Sequence, residues 1–378
     1  MKIILAPDSF KGTFSSKEVI NYLDQGFRKF IENVEIIHVP IADGGEGTVE
    51  AILTATEGKK VDCIVSGPLG QKVKAYYGLL GDTAVIEMAT ASGITLIADE
   101  EKNPLKTSTY GTGEMMLHAL DNGAKKLVIG IGGSATNDGG LGMAKALGVK
   151  FYNKDHAEVG HGGIELGNIS TIDITGMDKR FKNIEVDVIC DVTNPLLGPN
   201  GATYTYGPQK GATTTMMVLL ENGMVNYHNL IQETFGIHLD SIPGTGAAGG
   251  LGGGLVAFVG AVLKPGIETI LDVVAFDEKL ENVDLVITGE GKLDGQSIYG
   301  KVPVGVAARC GNIPVLAFVG SIGDGGEKVY DHNISGVFST VSDVTSFEEI
   351  LRNKEKIMEQ GVERFVRLIK TGMRIKKR

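Results

Sequence analysis

Cysteine is scarce in this chain: Cys63, Cys190 and Cys310 are far apart and odd in number. They leave no disulfide framework and no C-x-x-C metal or redox motif, and they fit a reducing, cytoplasmic setting. Basic charge is short as well. The formal net charge is −10, so a nucleic-acid partner, which needs a basic face, is not expected. The one basic run, Arg374-Ile375-Lys376-Lys377-Arg378, reads as a solvated helix end. Long apolar runs are missing. The longest, Leu251–Leu263, is too short and too glycine-rich to span a bilayer and reads as a buried helix. Met1-Lys2 leads straight into Ile3-Ile4-Leu5, without the regions of a signal peptide, so none is expected. The polar loops contain no histidine. With no G-x-S-x-G elbow, H-E-x-x-H pair or Cys/His spacing, acyl transfer and zinc hydrolysis have little support.

Glycine, in contrast, is abundant: 54 of 378 residues, clustered at the ends of apolar runs as tight strand–helix turns require. The length allows two domains with ample core. The most informative stretch is Val128–Gly142, where the apolar run Leu127-Val128-Ile129 reads as a buried parallel strand. Gly130, Gly132 and Gly133 follow it. Then come Ser134, Thr136, Asn137 and Asp138, any of which could cap a helix over Leu141–Leu147. Strand, glycine turn and helix start together make a candidate anion site. Gly130–Ala135 also fits the loose G-x-G-x-x-G/A pattern, but Asn137 and Asp138 suit a metal–phosphate or hydroxyl substrate better than a bare pyrophosphate.

Around this stretch the chain reads as β-loop-α units. Strands are expected at Lys2–Ala6, Val34–Val39, Val186–Cys190, Val283–Thr288, Pro314–Val319 and Val337–Thr340. Helices are expected over about Ser15–Ile31, Thr112–Asn122, Thr213–Thr234 and Val304–Cys310, with a last one from Phe347. Val61–Ser66, Val73–Leu80 and Ala84–Met88, separated by Gly-Pro and Gly-Asp turns, suggest an antiparallel or mixed patch that opens an inserted domain. The expected architecture is α/β: a discontinuous parallel-sheet domain from residues 1–60 and 283–378, and an inserted α/β domain with a mixed sheet over 61–282. Two glycine motifs are weaker than their letters. Gly244, Gly246 and Gly249 match G-x-G-x-x-G without a preceding strand, so close backbone packing or a phosphate-facing helix start is the better reading. Gly295–Lys301 spells G-x-x-x-x-G-K, but Val302 stands where a P-loop needs the Mg²⁺-binding hydroxyl.

Five acidic loops stand out: Asp8–Gly12, Asp43–Gly47, Ser134–Asp138, Asp191–Asn194 and Glu290–Gln296. A lone loop acid is usually a solvated turn residue. Repeated at one end of parallel strands, such loops gather carboxylates, glycine-exposed amides and a lysine, as metal-assisted phosphoryl transfer requires. A phosphatase would use a similar Mg²⁺ site but would show D-x-D after a strand, which is absent here. A non-catalytic sugar-acid sensor would not need five acidic loops.

APDSFKG, PIADGGEGT, GIGGSATNDGG, CDVTNPL, GTGAAGGLGGG and TGEGKLDGQ, in this order, resemble the bacterial glycerate kinase family of the first type, from near Met1 to past Lys301. The resemblance implies ATP-dependent phosphorylation of D-glycerate with Mg²⁺, to 2-phosphoglycerate in preference to 3-phosphoglycerate. It also implies two α/β domains, one Rossmann-like and discontinuous, with the active site in the cleft between them. Residue roles rest on chemistry. Asp191, ending an apolar strand ahead of Asn194 and Pro195, is the expected general base, with Asp8 next. No arginine lies in the five loops, so Lys11 and loop amides are expected to bind the substrate carboxylate, with Ser9, Asn137 and Asn194 as further substrate contacts. Gly132, Gly133, Ser134, Gly246, Gly249 and Glu290 are expected at the nucleotide, and Asp43, Glu46, Asp138 and Asp294 at the metal.

Overall fold

The structure, a computed structural model, describes residues 1–42, 45, 47–343 and 346–376. It divides into two compact units: unit one is Met1–Asp43, Glu50–Thr56 and Ile267–Arg378, and unit two is Gly44–Val49 and Glu57–Gly266. The chain thus returns to unit one at Ile267, ahead of residue 283, where the strand pattern resumes. Unit one begins with β1 (Lys2–Pro7) and β2 (Glu35–His38). Unit two holds β3 (Lys59–Ser66), β4 (Lys72–Leu80), β5 (Thr83–Glu87), β6 (Lys126–Gly130), β7 (Lys150–Tyr152), β8 (Thr171–Asp173), β9 (Glu185–Ile189) and β10 (Val262–Lys264). Unit one is completed by β11 (Leu285–Gly289), β12 (Lys292–Leu293), β13 (Val315–Val319), β14 (Ser321–Ile322) and β15 (Gly336–Ser339).

Unit one is built on a parallel sheet in the order β15-β13-β11-β1-β2. Its central strands β1 and β11 are largely apolar because both faces are covered, with Ile3, Ile4, Leu5, Val286 and Ile287 fully buried, while the edge strands β2 and β15 are half-buried. The helix Ser16–Phe30 starts on a capping box, with Ser15 Oγ accepting from the Glu18 N–H and Glu18 Oε2 accepting from the Ser15 N–H at 2.7 Å. It buries Val19, Ile20, Leu23 and Phe27 on one face. That face meets the C-terminal helix Lys354–Lys376, where Phe27 and Phe365 pack edge to face with ring centres 6.4 Å apart.

In unit two a mixed sheet runs β10-β9-β6-β5-β4-β3; β3, β4 and β5 pair antiparallel, whereas β5, β6, β9 and β10 are parallel. The short strands before residue 88 are therefore the antiparallel half of the sheet that carries β6. Leu251–Leu263 is only partly the buried helix expected of it. A helix spans Leu251–Val259, Gly260 turns left-handed (φ +65°), and β10 adds a parallel edge strand beside β9. Among the described residues no helix is long and apolar enough to cross a membrane.

The glycine-rich stretch before this helix serves close packing. A Cβ on Gly246 would lie 2.0 Å from the Pro195 carbonyl oxygen, and one on Gly249 2.0 Å from the Thr136 carbonyl oxygen. Gly254 in the helix faces Gly139 and Gly140 just as closely, with its Cβ position 2.5 Å from the Gly139 oxygen. Backbone lies against backbone, with no side chain between. Gly249→Ala, at φ +68° and against rigid main chain, is expected to cost roughly 3 kcal/mol or more of unfolding free energy. Gly236→Ala, at φ +71° with nothing within 4 Å, is expected to cost only about 1 kcal/mol. Urea denaturation of the two variants checks this; equal losses would refute the packing role.

Candidate active site

In unit one the polar groups collect at the carboxyl ends of β1 and β11. Asp8 follows β1, is buried, and donates its N–H to the Gly289 carbonyl at 2.8 Å. Its Oδ1 accepts from the Ser9 N–H at 2.6 Å. The turn beyond is pinned by the Thr13 hydroxyl donating to the Phe10 carbonyl and the Ser16 hydroxyl donating to the Pro7 carbonyl. Lys11 at its tip is exposed, which places its ammonium in a wetter setting than a buried carboxylate binder requires. Gly291 lets the neighbouring loop approach, since its Cβ position is 3.2 Å from Phe10 Cα.

That neighbouring loop starts with Glu290, which is buried. Its Oε1 accepts from the Ser297 hydroxyl at 2.5 Å and its Oε2 faces Lys301 Nζ at 3.6 Å. Burial pushes the Glu290 carboxyl up, against the pull of Ser297 and Lys301. Asp294 titrates low, held first by the Gln296 N–H and then by Lys301 and Lys292. Lys301, the last letter of the P-loop-like string, thus answers two carboxylates of its own loop.

Unit two carries the second group. Gly132 and Gly133 are exposed at the carboxyl end of β6, while Ser134, Asn137 and Asp138 are buried. Asp138 Oδ2 accepts from the Thr109 N–H (2.9 Å), the Thr109 hydroxyl (3.0 Å) and the Gly142 N–H (3.1 Å), and Oδ1 from the Gly140 N–H at 3.2 Å. The start of the six-residue helix Leu141–Ala146, marked in the sequence as an anion site, is taken by the protein's own carboxylate. Burial pushes the Asp138 carboxyl up despite these bonds. With both oxygens engaged inside the unit, its setting differs from that of an open metal ligand. Asn137 Nδ2 reaches Thr203 Oγ1 at 3.2 Å. Asn194 is also turned inward, donating to the Asn200 carbonyl at 2.8 Å and accepting from the Tyr206 hydroxyl at 2.7 Å. Gly246 and Gly249 press on backbone, as described above, which favours the packing alternative over a nucleotide cradle. Asp191 is exposed, and its Oδ1 accepts from the Gly266 N–H at 2.7 Å.

Among the described residues no three Asp, Glu, His or Cys side chains converge into a metal-holding group. Asp43 and Glu46, expected at the metal, lie outside the described residues.

Two residues were not singled out by sequence. Glu87 ends β5, is buried, and accepts from the Val49 N–H at 2.6 Å and the Gly47 N–H at 3.4 Å. Lys210 is only 2 % exposed; its Nζ donates to the Thr136 carbonyl at 2.6 Å and to Ser134 Oγ at 2.7 Å. Burial brings its ammonium down to about 7, opposed by Asp138.

A two-unit α/β protein with acids, lysines and exposed glycine amides at its strand ends has the build of a small-molecule phosphotransferase. The glycerate kinase family profile matches residues 3–370, and the chain belongs to that family. It is 47 % identical over 356 residues to the glycerate 2-kinase of Escherichia coli (strain K12), covering 93 % of each chain. To a glycerate kinase of Halalkalibacterium halodurans it is 46 % identical over 363 residues, 95 % of this chain and 96 % of that one. A crystal structure described as a candidate glycerate kinase 2 of Salmonella typhimurium LT2 is similar with a TM-score of 0.89 and 43 % identity, over 99 % of each chain.

The buried Lys210 amine makes the stability of the fold depend on pH. The folded chain loses this proton near pH 7, the unfolded lysine at its ordinary value of 10.5. Between those values the unfolded state binds the extra proton, so raising the pH from about 7 to about 10 stabilises the fold; below 7 the contribution is flat. Wild type is expected to gain stability relative to Lys210→Met across that window in urea titrations at successive pH. Parallel curves would show that Lys210 keeps its charge.

Proposed function

We propose that the protein transfers the γ-phosphoryl group of ATP to the 2-hydroxyl of D-glycerate, with Mg²⁺, giving 2-phosphoglycerate and ADP. The family match over residues 3–370 carries this reading, and the resemblance to a glycerate 2-kinase favours the 2-hydroxyl. Mg²⁺ in such an enzyme needs only one or two protein carboxylates, because nucleotide phosphates supply the other oxygens. Asp294 has the oxygen chemistry for this at the end of the β11 loop, and Asp43 and Glu46 are the further candidates. When bound, the ion offsets the charge of the transferring phosphoryl group.

The chain's own residues have the following parts in this reading. Asp191 accepts the hydroxyl proton: one of its oxygens is held by the Gly266 N–H, which orients the carboxylate. Asp8 is the alternative base. The exposed backbone of Gly132 and Gly133 offers N–H groups to phosphate oxygens. Glu290, through Ser297 and Lys301, sets the loop that faces the nucleotide. Lys11 and Ser9 meet the glycerate carboxylate, with Lys11 as a solvated charge whose individual contribution is modest. Asn137, Asn194 and Asp138 shape the pocket wall from within.

A coupled ADP-release assay across small hydroxy acids is expected to respond to glycerate in the presence of Mg²⁺, and phosphorus NMR of the product to show 2-phosphoglycerate. A 3-phosphoglycerate signal would reassign the hydroxyl. ADP release with another acid but not with glycerate would reassign the substrate.

Asp191→Asn tests the base. The amide oxygen can still accept from Gly266, so geometry survives while basicity goes. Turnover is expected to fall about a hundredfold or more with nucleotide binding retained. Near-normal turnover would move the role to Asp8, or leave Asp191 as a turn-holding residue only.

A further inference from the structure

Lys210 is an unexpected residue to find sealed inside unit two. It closes the short helical turn Pro208–Lys210, and its amine reaches two oxygens of one loop, the Thr136 carbonyl and Ser134 Oγ. Burying an amine is costly, and two good acceptors offset only part of that cost. Ser134 follows directly on the exposed Gly132 and Gly133 at the end of β6. Its oxygen takes the lysine N–H, and among the described residues its hydroxyl hydrogen has no acceptor. Beside it, Thr136 Oγ1 and Asn137 Oδ1 are buried without hydrogen-bond partners among the described residues. Thr136 and Asn137 are wholly enclosed, and Ser134 alone, 8 % exposed, is open to a group from outside the chain, whose acceptor its hydroxyl hydrogen can meet.

We propose that Lys210 is a positioning residue: by donating to Ser134 Oγ it turns the Ser134 hydroxyl hydrogen outward, to an anionic oxygen of a bound ligand, phosphate or carboxylate. A hydroxyl whose lone pair already receives an N–H is polarised toward donating its own hydrogen, and it has one direction left in which to do so. Lys210, fully enclosed, never touches the ligand. The inference rests on the kinase reading only for the choice of the two ligands to be tried.

The experiment is a double-mutant cycle on the full chain with Ser134→Ala and Lys210→Met. Calorimetry reads the binding of ADP and, separately, of D-glycerate, and kinetics reads kcat and KM. Ser134→Ala keeps the bond between Lys210 and Thr136, so it is expected to fold. Each single variant should weaken one ligand, and only one, by about tenfold or more, through KM with kcat less affected. The double variant should bind no worse than Ser134→Ala, because Lys210 acts through Ser134. Weakened ADP identifies the anion as phosphate; weakened glycerate identifies it as carboxylate. Additive losses would mean that Lys210 only supports the fold, and unchanged binding of both ligands by Ser134→Ala would overturn the proposal. Should Lys210→Met fail to fold, unchanged ligand binding by Ser134→Ala still overturns the proposal. Wild-type chain that binds neither ligand also overturns it, whereas wild-type turnover of glycerate tests the kinase reading independently.

Discussion

A carboxylate taken out of water has to be surrounded by donors, and the enclosed Asp138 organises unit two by meeting that requirement. Its donors come from two places in the chain: Thr109, just before the helix Tyr110–Asp121, and Gly140 and Gly142, at the start of the helix Leu141–Ala146. Thr109 Oγ1 is used twice, since it also accepts from the Met143 N–H at 2.9 Å. Two helix starts are thus tied to one anion. The β6 loop cannot shift without leaving that charge unpaired, and an unpaired buried charge costs several kcal/mol.

The glycine-rich stretch acts on the same loop from another side. Gly139 donates its N–H to the Gly249 carbonyl at 3.0 Å, while Gly249, Gly250 and Gly254 lie against residues 136–140 with no room for a side chain. Main-chain contact of this kind holds a loop more firmly than side-chain packing, because nothing at the interface can change rotamer. Lys210 adds the remaining tie, to Ser134 and Thr136. Anchored by a carboxylate, a glycine clamp and an amine, the loop keeps Gly132 and Gly133 exposed on a fixed base.

What could be read from the sequence follows from how local each signal is. Strands β1, β6, β9, β11 and β13 announce themselves as apolar, β-branched runs, and the capping box at Ser15 and Glu18 is written in four adjacent residues. The strand-end loops are legible for the same reason. The partner of a buried polar group is not local. Asp138 sits in a polar string that looks solvated, and nothing near it reports that Thr109 lies within hydrogen-bonding distance. Lys210 is harder still: in Gly207-Pro208-Gln209-Lys210-Gly211 it has every appearance of an exposed turn lysine, and the oxygens that enclose it lie more than seventy residues away. Its burial is set by tertiary packing alone.

The two groups of strand-end residues also differ in what holds them, and the difference bears on how a phosphotransferase works. In unit two the ties are buried hydrogen bonds of 2.6–3.2 Å, expensive to break. In unit one Lys301 lies 3.6 Å from Glu290 and 3.9 Å from Asp294, and Lys292 lies 3.5 Å from Asp294, with both lysine side chains substantially exposed. The pairs to Asp294, long and open to water, contribute a fraction of a kcal/mol and are weakened by salt, while Glu290 keeps its buried bond from Ser297 as well as Lys301. Lys292 can therefore leave Asp294 at little cost, whereas Lys301 faces the buried Glu290 and the Asp138 loop cannot rearrange without breaking its anchors. The Asp138 loop owes its rigidity to burial, and the looser pairing of Lys292 and Lys301 follows from the exposure of the two lysines.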